Sequence, residues 1–304
     1  MFCRPQGHRA TGPQGHKPQA TSLAEGHKAP RPRKIAGVLI FAFLASATPV
    51  LANTNICEAQ DPEYNSGDKA CNLSSKEIRS LNSASFKNLS HLENLDLSGN
   101  FLTSLEPGVF KDLRDLEDLN LSNNKLTRLK PETFKGLGDL EKLDLTGNKL
   151  SGLSSEIFNG IDDNLEWLSL NSNKLNDLPV NLFSNLTSLE ILYLSGNNLS
   201  SLQPEVFNEL PDLEILGLNH NSLTTLPKDI FSQLSDLKHL GLRGNNLHTL
   251  PKDIFNGLEY LHSLWLGENS MTCLPILPPN LERLILDDPN INSLYSSKFP
   301  SCGE

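Results

Sequence analysis

Residues 165–175 read LEWLSLNSNKL. Leucines at the first, fourth and sixth places bracket Trp167 and Ser169, and the segment runs on to Asn173 and Leu175. Such alternation is that of a short strand, in which successive side chains point to opposite faces. Leu168 and Leu170 are expected to face inward, Trp167 and Ser169 outward.

The pattern L-x-x-L-x-L-x-x-N-x-L restarts at Leu92, Leu116, Leu140, Leu165, Leu189, Leu213, Leu237 and Leu261. The interval is 24 residues, except for 25 between Leu140 and Leu165, and a degenerate copy begins at Leu281. No single copy can bury its own leucines, so the copies must stack into one continuous core. Period and consensus resemble the leucine-rich repeat family over most of the chain. The resemblance implies an α/β repeat solenoid, curved into a horseshoe, with a parallel sheet on the concave face and irregular or short helical segments on the convex side. It further implies that Asn100 and its counterparts through Asn269 turn inward to bond the backbone of adjacent turns. A second ladder, Phe86 to Phe255, falls on the convex side. With the 24-residue length it resembles the subtype of extracellular receptors such as Toll-like receptors and lamprey variable lymphocyte receptors.

The organisation expected along the chain is a signal peptide with a long low-complexity leader (1–52), an N-terminal cap with a partial repeat (53–91), eight repeats (92–280), and a degenerate repeat with a C-terminal cap (281–304). Arg31, Arg33 and Lys34 precede the apolar run IAGVLIFAFLASA, too short to span a bilayer, and cleavage is expected after Ala52. The leader repeats QGH and EGH, read as low-complexity sequence rather than a metal tract. The protein is thus expected to be secreted, or periplasmic in a Gram-negative source, with no membrane insertion after cleavage and no sorting motif to tether it.

Four cysteines then remain, Cys57, Cys71, Cys273 and Cys302, an even number that suits disulfides in an exported chain. Cys71 stands 24 residues before Leu95, at the second leucine of a zeroth repeat, so Cys57–Cys71 would close an N-terminal cap. Pro289 replaces the ladder asparagine near the other end, and Cys273–Cys302 would clip the final turn. Eight stacked strands hold the caps roughly 35–40 Å apart, which excludes cross pairing. The segment LPILPPNLERLIL (274–286) resembles the 20-residue repeats of secreted bacterial effectors and suggests a bacterial source.

Catalytic motifs are absent: there is no GxSxG, HExxH, GxGxxG, Walker-type loop or CxxC. No enzyme, cofactor or metal site is expected. His220, His239 and His262 read as solvated or partner-contacting imidazoles, and the acid pairs Asp162-Asp163 and Asp287-Asp288 as solvated loops. The formal net charge is −10, and residues 1–52 carry seven Lys/Arg against one acid, so the acidity belongs to the repeats. With no basic stripe evident, nucleic acid is not expected as a partner.

Recognition is therefore sought on the concave sheet. The residue before the second leucine reads Asn94, Asp118, Lys142, Trp167, Ile191, Ile215, His239, Ser263, Arg283. The next outward column reads Asp96, Asn120, Asp144, Ser169, Tyr193, Gly217, Gly241, Trp265, Ile285. Trp167, Ile191, Tyr193 and Ile215 form an apolar cluster; Gly217 and Gly241 would leave a bare notch bordered by His220, His239 and Arg243, with Trp265 beyond. Clustered exposed apolar and aromatic residues mark contact sites, so these positions are expected to bind a protein, with a glycan as second choice. A secreted effector or inhibitor that masks an enzyme, and a structural adhesion component, are the alternatives. Glu93, Glu117, Glu141, Glu166, Glu190 and Glu214 form a further column, read as a solubilising rim. Oligomeric state is not legible. Of five sequons (Asn72, Asn88, Asn120, Asn185, Asn198), Asn120 lies on the concave sheet.

Overall fold

A computed structural model describes residues 55–286 of the chain, apart from 62, 66 and 162. The leader, Asp162, the acid pair at 287–288, Pro289 and Cys302 lie outside the described residues.

Each repeat contributes one three-residue strand at the place its leucine alternation dictates. The strands are β1 (Ala70–Asn72), β2 (Asn94–Asp96), β3 (Asp118–Asn120), β4 (Lys142–Asp144), β5 (Trp167–Ser169), β6 (Ile191–Tyr193), β7 (Ile215–Gly217), β8 (His239–Gly241), β9 (Ser263–Trp265) and β10 (Arg283–Ile285). They pair in sequence order as one parallel sheet, as stacking of identical units requires. Leu168 meets Leu143 and Leu192, and the match continues in both directions, with Cys71 opposite Leu95. The extra residue before Leu165 leaves this register intact, because the surplus is taken up on the convex side. There Ile161 is buried and Gly160 adopts φ +92°.

Behind the sheet the leucines form one core running from Cys57 to Leu281. Phenylalanines close it on the convex side, with successive rings stacked 5.7 Å apart at Phe86–Phe110 and 6.4 Å at Phe110–Phe134. The asparagine ladder does what buried amides must do. Asn124 donates to the Leu97 carbonyl of the preceding turn (2.9 Å) and to its own Leu121 carbonyl (3.1 Å), while its Oδ1 accepts from the Leu102 N–H (3.1 Å). Every such side chain sews one turn to the next.

The N-terminal tip is sealed by a short helix, α1 (Ile56–Gln60), whose Asn55 cap accepts from the Glu58 N–H at 3.0 Å. A Cys57–Cys71 disulfide ties this helix to β1. Cys273 is also disulfide-bonded. Among the described residues no helix is long and apolar enough to cross a membrane.

Candidate functional site

The apolar cluster anticipated on the sheet is assembled by strand register. Trp167, Ile191, Ile215 and His239 are consecutive partners on β5 to β8. Tyr193 sits one column over, with Ser169 and Gly217 as its partners. The Trp167 and Tyr193 rings meet edge to face, with centroids 6.0 Å apart at 74°, an arrangement that aromatic quadrupoles favour. A second pair stands at the far side, His239 against Trp265 at 6.2 Å. All these side chains are half-buried, each shielding its neighbour. His239 Nδ1 is enclosed without a hydrogen-bond partner.

The bare notch is not there. A Cβ on Gly217 would lie 3.0 Å from the Tyr193 ring, and one on Gly241 would lie 2.5 Å from Asn219 Nδ2. Both glycines are buried, because a neighbouring side chain already lies across each of them. Ser169, expected outward, is likewise covered and bonded to the Thr146 hydroxyl at 2.7 Å. His220 does not border this place either; its ring lies over Gly244.

The physical reason is a change in how the turn after each strand is held. In the first turns the second outward column supplies its own cap: Asn72, Asp96, Asn120 and Asp144 accept the N–H two residues ahead at 2.8–3.0 Å. This is the Asx turn, in which a short polar side chain bonds nearby backbone. Tyr193, Gly217 and Gly241 cannot perform it. The acceptor then comes from one turn back: Asn171 takes the Ser195 N–H (2.7 Å), Ser195 that of Asn219 (3.2 Å), and Asn219 that of Arg243 (2.9 Å). The cap has moved from within a repeat to between repeats, which frees three column positions from polar side chains. Asp96, Asn120 and Asp144, by contrast, are engaged in holding their own turns.

Arg243 pairs with Glu268 at 2.7 Å, and His220 Nδ1 lies 3.8 Å from the same carboxylate. The Arg243 hydrogen bond holds the Glu268 carboxyl below its ordinary range, with lesser help from the Arg243 and His220 charges. His220 and Arg243 thus belong to an ion cluster at the C-terminal margin of the patch.

A recess of about 440 Å³, its exposed lining mostly apolar, occupies the N-terminal half of the same face, and sequence reasoning passed over it. Asp96, Asp118, Asn120 and Asp144 line it, Lys142 reaches across to Asp118 at 3.5 Å, and Trp167 forms its end wall. Trp167 therefore belongs to both the recess and the apolar cluster. The glutamate column beside them is closed at each end by a lysine, Lys69 on Glu93 and Lys238 on Glu214. The Glu93 hydrogen bond and charge raise the Lys69 pKa. Among the described residues no group of three or more His, Cys, Asp or Glu is placed to hold a metal ion.

The family model for the leucine rich repeat matches residues 72–126, 90–150, 115–163, 139–199, 163–223 and 189–247. No curated protein matches the chain. Among solved structures, the Toll-like receptor TLR13 in its complex with ssRNA13 superposes with a TM-score of 0.66 at 30% identity, over 72% of this chain and 32% of the receptor chain. Toll of Drosophila, in complex with Spatzle, superposes with a TM-score of 0.55 at 21% identity, over 68% of this chain and 33% of its own. The chain thus spans about a third of the length of either, and the second likeness is one of fold.

Proposed function

The chain belongs to the leucine-rich repeat family, and from that premise we propose that it is a secreted recognition module that binds a protein through the concave face of β5 to β9. One observation carries the reading: Trp167, Ile191, Tyr193 and Ile215 are contiguous across three strands, with the two aromatic rings locked edge to face. Solvent-facing aromatic clusters of this kind are where interface energy concentrates. His239 and Trp265 extend the face, and Arg243 offers a polar margin. Gly217 and Gly241 serve it from below, by giving Tyr193 and Asn219 room to lie flat.

Secretion is supported by the basic and apolar leader and by the disulfide bonding of Cys57, Cys71 and Cys273. The neighbours were solved with ligands, one an RNA and one a protein. The RNA in the TLR13 complex runs against our expectation that nucleic acid is no partner. We keep a protein because the proposed face is apolar and the strands beside it, β2 to β4, carry Asp96, Asp118 and Asp144, which repel phosphate. A secreted inhibitor that masks an enzyme is the second reading, favoured by the effector-like spacing of residues 274–286.

The test is capture of partners from secreted or host fractions by the wild type and by the Trp167→Ala, Tyr193→Ala, Trp265→Ala triple variant. The triple variant should lose capture while its thermal midpoint stays within a few degrees. Undiminished capture would place recognition elsewhere.

A further inference from the structure

The flank of the solenoid opposite the glutamate column carries a ladder of cations that the net charge conceals. The residue after each ladder asparagine is Phe101, then Lys125, Lys149 and Lys174 in consecutive turns. Their backbones are in register: the Phe101 N–H donates to Ile78, that of Lys125 to Leu102, of Lys149 to Leu126 and of Lys174 to Leu150, all at 2.8–2.9 Å. The lysines therefore follow one another at about the 4.8 Å strand spacing and are exposed. Toward the N-terminus the row position is Glu77, and Arg79 stands one column over, in line with Thr103. Its guanidinium lies 5.0 Å from the centre of the Phe101 ring, and the Lys125 ammonium lies 4.2 Å from it. Phe101 thus holds a cation from the turn on either side, which orients both and draws down the entropy cost of using them.

We propose that this flank, Arg79–Phe101–Lys125–Lys149–Lys174, is a docking surface for a linear sulfated polysaccharide. Three lysines in one line, with Arg79 at the head of the adjacent column of Thr103, Thr127 and Ser151, offer repeated contacts to a chain of regularly spaced anionic groups, and the three hydroxyls can partner sugar oxygens. The ring of Phe101 is taken up by its cations and is not free to stack a nucleobase, which is what single-stranded nucleic acid would need for more than its phosphate contacts. The proposal is independent of the concave site. On a protein of net charge −10 the attraction is local, so it must be steeply salt-dependent.

The experiment is binding of the intact protein to fluorescent heparin, desulfated heparin and oligouridylate of matched length, at two salt concentrations. Heparin should bind, the desulfated chain should bind at least tenfold more weakly, and raising the salt should weaken heparin severalfold. Lys125→Ala, Lys149→Ala, Lys174→Ala should cost at least tenfold in heparin affinity with an unchanged thermal midpoint. Lys111→Ala with Lys228→Ala, on other surfaces, should cost nothing. If the triple variant unfolds, Lys149→Ala alone must still weaken heparin. Trp167→Ala should leave heparin binding intact, which separates this site from the concave one. Equal binding of desulfated heparin, tighter binding of oligouridylate, no heparin binding, or indifference to the lysine changes would each overturn the proposal.

Discussion

The side-chain amide of Asn219 lies where a Cβ on Gly241 would stand, with Nδ2 at 2.5 Å and Oδ1 at 2.7 Å from that position. The same Oδ1 accepts the Arg243 N–H, so the glycine exists to let one turn hold the next. Gly241→Ala should therefore destabilise by about 1–2 kcal/mol, because the added methyl must displace the amide from its bond. In Asn219→Ala the methyl has room, and adding Gly241→Ala to it should cost little. Urea unfolding of both single variants and the double measures this coupling; strict additivity would sink the explanation.

Asn148 donates to the Leu121 and Leu145 carbonyls at 3.0 and 3.1 Å, and accepts from the Leu126 N–H at 3.0 Å, all in the buried interior. Asn148→Ala leaves the Leu126 N–H without its partner, at about 1–3 kcal/mol for a buried group left unsatisfied, while the Leu121 and Leu145 carbonyls keep the Asn124 and Asn173 amides. A loss of about 1–3 kcal/mol is expected in equilibrium unfolding. Asn269, only partly buried near the C-terminal end, should cost less when changed to Ala.

The Cys57–Cys71 bridge closes a sequence separation of 14 residues. Cys57→Ala with Cys71→Ala should lower stability by about 3 kcal/mol through the freed denatured chain. Limited proteolysis should then open α1 and β1 before the central repeats, because a solenoid frays from an unsealed tip.

Glu268 is held below its ordinary value of 4.5 by Arg243. A depressed carboxyl contributes stability that is present above the unfolded value and is lost as pH falls through the folded one. The group is exposed, so salt should diminish the effect. Titration of the Glu268 carboxyl carbon by NMR should give a value below that of a free glutamate, and Arg243→Ala should bring it back up. An unmoved titration in that variant would assign the shift to something other than the ion pair.

Strand position and register, the leucine core and the two ladders were legible in the residues, because a 24-residue repeat leaves each strand one place to go. A single slip would turn Leu168 outward and Trp167 inward, and eight copies forbid it together. The apolar cluster followed from the same columns, since register alone makes Trp167, Ile191 and Ile215 neighbours. The lysine ladder was equally present in the order of residues, but the total charge masked it. Side-chain direction was not there to be read. Two glycines in a column look like empty space until tertiary structure shows which way Tyr193 and Asn219 lie. Asp96 and Asn120 look free until their backbone bonds are seen. Sequence by itself determined which residues are neighbours, because that depends on a one-dimensional period; only the tertiary structure decided which of them are spent on each other, because that depends on rotamers and hydrogen bonds between turns.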